Sequence, residues 1–120
     1  MQKTRYTTRT VRHRRVRKKI NGTAERPRLT VYFSNRHISA QLVDDTAGRT
    51  LLHVTTLQKD IRPLVEGKPM REAAAAVGRK IGEGARQIGL TRIVFDKSGY
   101  RYGLRLKNLA DAARGCGLEF

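Results

Sequence analysis

Tryptophan is missing, cysteine occurs once, and 10 acids face 26 Lys and Arg. Cys116 cannot close an internal disulfide alone, so a reducing compartment is the default. His13, His37 and His53 have no ligand spacing relative to Cys116 or one another, so neither a metal nor another cofactor is expected. Asp44 and Asp45 are adjacent, so on a strand they would point to opposite faces. They suit turn capping better than a metal pair. Asp96 is a single carboxylate at a strand end, where a nuclease would need several converging around a divalent ion. It reads instead as the cap of a Lys97–Gly99 turn. No catalytic residue is therefore assigned. No apolar run approaches the roughly 18 residues that span a bilayer, and the start lacks the apolar centre of a secretory signal. Its basic residues are packed more tightly than an amphipathic targeting helix would need. These readings point to a cytoplasmic chain with no membrane partner and no small-molecule substrate.

What the chain has in excess is positive charge, formally +16. Residues 1–28 hold eleven Lys and Arg against one acid, net +10, and residues 29–120 hold fifteen against nine, net +6. In the first stretch Arg5, Arg9, Arg12, Arg14, Arg15, Arg17, Lys18, Lys19, Arg26 and Arg28 fall within 24 residues, with Glu25 the only acid among them. Burying so many unpaired cations would cost several kcal/mol each, so residues 1–28 are expected to form a basic arm on the outside. Arm and body are both cationic, which argues for a polyanionic partner rather than a detachable tether. Arg outnumbers Lys in the arm, and its planar fork engages phosphate bidentately or stacks on bases. A helix over about Thr8 to Lys19 would order on binding.

The body, residues 29–120, opens with alternation. Leu29, Val31 and Phe33 share one face, then Ile38, Ala40 and Leu42 do, which predicts two half-buried strands joined by the polar turn Ser34-Asn35-Arg36-His37. A third strand over Thr50 to Thr56, with Leu52 and Val54 inward, completes an antiparallel meander. Gln58 to Lys68 reads as a loop with one helical turn. Met70, Ala73, Ala74, Val77, Ile81, Ala85 and Ile88 follow at helical spacing, and Gly89 suits the C-terminal cap. Gly78, Gly82 and Gly84 weaken that helix by about 1 kcal/mol each relative to Ala, which predicts close packing on the sheet. Thr91 to Phe95 is then a buried strand parallel to the one before the helix, and a last helix runs over about Leu104 to Arg114. The predicted fold is a single α/β domain: a mixed sheet of antiparallel meander plus parallel strand, with packed helices.

Two clusters in the body suit nucleic acid. The Ser34, Asn35, Arg36 and His37 turn offers four polar side chains at one tip. Lys97, Ser98, Tyr100, Arg101, Tyr102, Arg105 and Lys107 alternate cations with rings at the end of a strand, as unstacked bases and backbone together require. A packing role is expected for one of the tyrosines. A basic DNA-architectural protein is the alternative, but neither a groove-reading helix nor a dimer seam is visible.

The blocks Arg26-Pro-Arg-Leu-Thr-Val-Tyr, Ser34-Asn-Arg-His-Ile-Ser-Ala-Gln-Leu-Val-Asp-Asp, Ala74-Ala-Ala-Val-Gly, Val94-Phe-Asp-Lys-Ser-Gly-Tyr-Arg-Tyr and Leu109-Ala-Asp-Ala-Ala-Arg-Gly-Cys-Gly-Leu-Glu-Phe resemble, in this order, the bacterial ribosomal protein L-eighteen family. The likeness covers residues 9–120. It implies a ribonuclease H-like translational-component architecture and no catalysis. It also implies a structural constituent of the large ribosomal subunit in the cytoplasm. The implied partners are 5S rRNA, 23S rRNA and the neighbouring 5S-associated proteins of the central protuberance. Carried over residue by residue, the arm (Arg9, Arg12, Arg14, Arg15, Arg17, Lys18, Lys19), Arg26 and Arg28, the Ser34–His37 turn and the Asp96–Arg105 loop would face RNA. The chain departs from the pattern at Tyr102-Gly103-Leu104-Arg105, where the family usually has Tyr-His-Gly-Arg; any contact of that imidazole is lost in this chain. Ser98 stands where glycine is frequent.

Overall fold

Period-two alternation dictates the first three strands of the computed structural model, which describes residues 21–120; the helix expected over Thr8 to Lys19 lies outside them. Strand β1 (Arg28–Phe33) pairs antiparallel with β2 (Ile38–Asp44), and β2 with β3 (Arg49–Thr55). Strand β4 (Val94–Asp96) pairs parallel with β1, giving the order β3-β2-β1-β4. Helix α1 (Arg62–Val65) is the single turn read in the long loop. Helices α2 (Met70–Gln87) and α3 (Leu104–Gly115) are the two amphipathic runs.

Leu29, Val31, Ile38, Ala40, Leu42 and Val54 are buried on one sheet face, and they meet Ala74, Val77, Ile81 and Ala85 of α2. Leu106, Leu109 and Ala113 bring α3 into the same core. A fully buried aliphatic side chain of this size contributes about 1.5–3 kcal/mol. The opposite face is polar. Register aligns Thr30 with Gln41 and His53, and Tyr32 with Ser39 and Thr55.

Three expectations need correction. The crossover strand runs parallel to β3 as expected, but it is not buried within the sheet. The connection crosses both β2 and β1, and β4 sits outside β1 as a three-residue edge strand. Direction is readable from a strand–helix–strand unit, but which strand becomes the neighbour is not. The helix glycines also divide their work. A Cβ on Gly78 would lie 2.2 Å from the Leu109 carbonyl oxygen and one on Gly82 would lie 2.7 Å from the Cys116 Cβ, so both admit α3 rather than the sheet. Only Gly84 faces a strand side chain, with its Cβ position 2.6 Å from Leu52. Ile88, the last residue of the predicted stripe, is 52% exposed because α2 ends there and Gly89 turns the chain away at φ 80°.

Asp44 caps the β2–β3 turn as expected. Its Oδ1 accepts the Thr46 amide at 3.0 Å, the Ala47 amide at 3.3 Å and the Thr46 hydroxyl. The Thr46 hydroxyl is the main cause that holds this carboxyl below its ordinary 3.8; burial opposes the shift, and the two amides and Arg49 add to it. A carboxyl lowered by folding stabilises fully above its unfolded value and stops doing so as pH falls through the folded one. Asp44→Asn should therefore flatten the acid limb of the stability curve below about pH 4, as a series of urea melts would show. An acid limb identical to that of the wild type would contradict this.

Candidate nucleic-acid interface

The β1–β2 turn closes on itself. The Ser34 amide donates to the His37 carbonyl at 2.9 Å, and the Ser34 hydroxyl accepts the His37 amide at 3.1 Å. Ser34 is thereby spent on the turn, which leaves Asn35 and Arg36 exposed at its tip. The His37 ring is pinned sideways, with Nδ1 3.1 Å from the Thr56 hydroxyl, which also accepts the Ile38 amide.

The 96–105 loop folds against this turn. The Tyr100 hydroxyl accepts the Phe33 amide at 3.0 Å and donates to the Phe33 carbonyl at 3.2 Å. The two rings meet edge to face at 5.0 Å, and the Arg105 guanidinium lies 5.2 Å from the Phe33 ring centre. Tyr100 is thus the packing tyrosine, while Tyr102 stays 47% exposed beside exposed Arg101. Together the turn and the loop border a cavity of about 490 Å³ lined by Tyr32, Phe33, Ser34, Asn35, Tyr100 and Arg105. Tyr32, 52% exposed, was not among the candidate residues. Alternation had already put it on the face opposite Leu29 and Val31, which was the available signal.

Two candidates are held inside the protein. Ser98 is 3% exposed and sits at φ 57°, a left-handed conformation that disfavours a side chain by roughly 1–2 kcal/mol. Its hydroxyl offsets this with a 2.8 Å bond to Thr30, and its amide donates to Asp96 Oδ1 at 2.9 Å. Arg28 spans two carboxylates. Its Nε and Nη2 reach Asp45 at 3.0 and 3.1 Å, and its Nη1 reaches Asp96 at 2.8 Å. Burial alone would lower the Arg28 pKa, but the hydrogen bonds and charges of both acids outweigh it and raise the value. Asp45 Oδ2 also accepts the Gly22 amide at 2.7 Å. Asp45 is therefore an anchor for the residues leading into β1 rather than a simple turn cap.

Arg26 is exposed and Lys97 half-buried, while Arg9, Arg12, Arg14, Arg15, Arg17, Lys18 and Lys19 lie outside the described residues. The surface so assembled offers guanidiniums for phosphate and the exposed rings of Tyr32 and Tyr102 for stacking. Among the described residues no group of three or more His, Cys, Asp or Glu is placed to hold a metal ion. No described helix is long and apolar enough to cross a membrane.

A family model described as ribosomal L18 of archaea, bacteria, mitochondria and chloroplasts matches residues 3–120. The chain is 52% identical over 110 residues to large ribosomal subunit protein uL18 of Thermomicrobium roseum, covering 91% of this chain and 89% of that one. It is 52% identical over 109 residues to the protein of that name from Thermotoga petrophila, with the same coverage. For that of Caldicellulosiruptor saccharolyticus the identity is 50% over 112 residues, covering 93% and 90%.

Proposed function

The chain belongs to the ribosomal L18 family, structural components of the ribosome rather than enzymes, and we propose that it holds 5S rRNA and helps attach it to 23S rRNA in the central protuberance. It is a constituent of the large subunit, as the names of its relatives indicate. In this reading the basic arm, residues 1–28, neutralises phosphate. The body, residues 29–120, presents Asn35, Arg36, His37, Lys97, Arg101, Tyr102 and Arg105 to the RNA. Ser34, Tyr100, Ser98 and Arg28 hold those residues in place. The observation that carries the reading is the meeting of two polar, cationic segments, distant in sequence, around one aromatic-lined cavity. Folded RNA hides its base edges in a deep, narrow major groove, so fit to shape and backbone, with a few splayed bases, is the mode such a surface serves.

Competition filter binding tests it. Unlabelled 5S rRNA should displace labelled 5S rRNA at a concentration about a hundredfold or more below that of duplex DNA of equal length, since specific sites exceed non-specific ones by at least that margin. Equal displacement by DNA would favour the DNA-architectural alternative.

A further inference from the structure

On the other side of the β1–β2 turn lies a second cleft, of about 660 Å³, between that turn and the α1–α2 segment. This is within the range of roughly 300–1,000 Å³ typical of small-ligand sites. Arg36, Arg62 and Lys68 line it, against Glu66 as the one acid on its wall among the described residues. Val65, Met70 and Ala73 add apolar surface, partly or fully buried. Gly67 turns the chain between the acid and Lys68 at φ 75°, a conformation other residues resist. His37 also lines the cleft, with its ring held by the Thr56 hydroxyl, so a flat polarisable surface is fixed there before any ligand arrives.

We propose that this cleft receives one unpaired nucleotide extruded from a structured RNA, the base against His37, Val65 and Met70 and the phosphate toward Arg62 and Lys68. The inference rests on the RNA-binding reading above and adds a site that the sequence did not single out, since Arg62, Val65, Lys68 and Met70 fall in a stretch read as loop and helix start. Apolar walls beside cations are the combination that a splayed-out nucleotide needs. Its stacking face and its phosphate must be satisfied at once, and a purely electrostatic surface supplies only the second.

The test uses the isotope-labelled full chain and four probes. These are an RNA hairpin with one bulged adenosine, the same hairpin fully paired, adenosine 5′-monophosphate, and a short peptide rich in Glu and Leu. The bulged hairpin should bind about tenfold or more tighter than the paired one, the margin of one stacked base, and should shift the amides of His37, Val65, Gly67 and Met70. The monophosphate should shift the same amides at much higher concentration. Replacing exposed Arg62 and Lys68 together by Ala should erase the preference for the bulge. Removing the same charge elsewhere, by R79A with R86A, should leave it intact. Equal binding of the two hairpins, tighter binding of the free monophosphate than of the bulge, or displacement by the acidic peptide would each overturn the proposal. If the wild type still binds 5S rRNA under those outcomes, the broader reading stands. Failure of the wild type to bind 5S rRNA removes the broader reading itself.

Discussion

Affinity for 5S rRNA should fall by three decades or more between about 50 and 200 mM salt, if about six to ten phosphates are contacted. Each contact releases counterions, so the logarithm of affinity declines linearly with the logarithm of salt, with a slope proportional to the number of contacts. Residues 1–19 hold nine Lys and Arg and no acid, a large share of the charge available for those contacts. Deleting them should weaken binding at least about a hundredfold at low salt and make the salt slope shallower. The body should keep its structure, because every member of the described core lies between Leu29 and Leu118. Filter binding across a salt series gives both numbers, and circular dichroism reports the body. A flat salt response in the full chain would remove the arm's role, and collapse of the truncated body would make the arm structural.

How much of this was legible in the sequence depends on the range of the interaction. Strands β1 and β2 follow from Leu29, Val31, Ile38, Ala40 and Leu42, because alternation is a property of neighbours. The stripe from Ala73 to Ala85 is equally local. Gly78 and Gly82 announced that something comes close to α2, but a missing Cβ cannot say whether a strand or a helix fills the space. The position of β4 was out of reach for the same reason, since β4 pairs with residues more than sixty positions earlier. At the interface the exposed members, Asn35, Arg36, Arg101, Tyr102 and Arg105, were found by type and clustering. Arg28 and Ser98 were placed there on the same ground, and the structure turns them inward. Their partners, Asp45, Asp96 and Thr30, stand 17 and 68 positions away, where no pattern of spacing reveals them. The second cleft was missed because Val65 and Met70 look like ordinary helix residues until the turn carrying His37 is folded over them.

Arg28→Ala should destabilise the protein by about 3–5 kcal/mol, the usual cost of removing one partner from a buried ion pair. Asp96 is fully buried, so loss of the guanidinium removes a cation bonded to it at 2.8 Å, a part that the neutral Ser98 amide cannot take. The loss should exceed that of Asp96→Asn, which retains an acceptor for Ser98 and leaves Arg28 its bonds to Asp45. Replacing the buried pair together, Arg28→Met with Asp96→Leu, should recover part of the loss, since apolar residues of similar volume often substitute for buried ions without penalty. Full recovery is not expected, because the Ser98 amide and the Asp45 carboxylate each lose a partner. Urea melts of the wild type, Arg28→Met, Asp96→Leu and their double variant yield the coupling directly, and additive losses would show that the two charges act independently. The consequence for function follows from the same geometry. Asp45 receives both Arg28 and the Gly22 amide, while Asp96 holds the loop that leads to Tyr100 and Arg105. One guanidinium thus ties the end of the basic segment and the root of the cationic loop to the start of β1. Binding of 5S rRNA by Arg28→Ala, measured at a temperature where it is fully folded, should weaken with little change in salt slope, because orientation is lost while the phosphate contacts remain. A salt slope reduced by about one contact, with loop geometry intact, would mean instead that Arg28 leaves its two carboxylates to meet a phosphate itself.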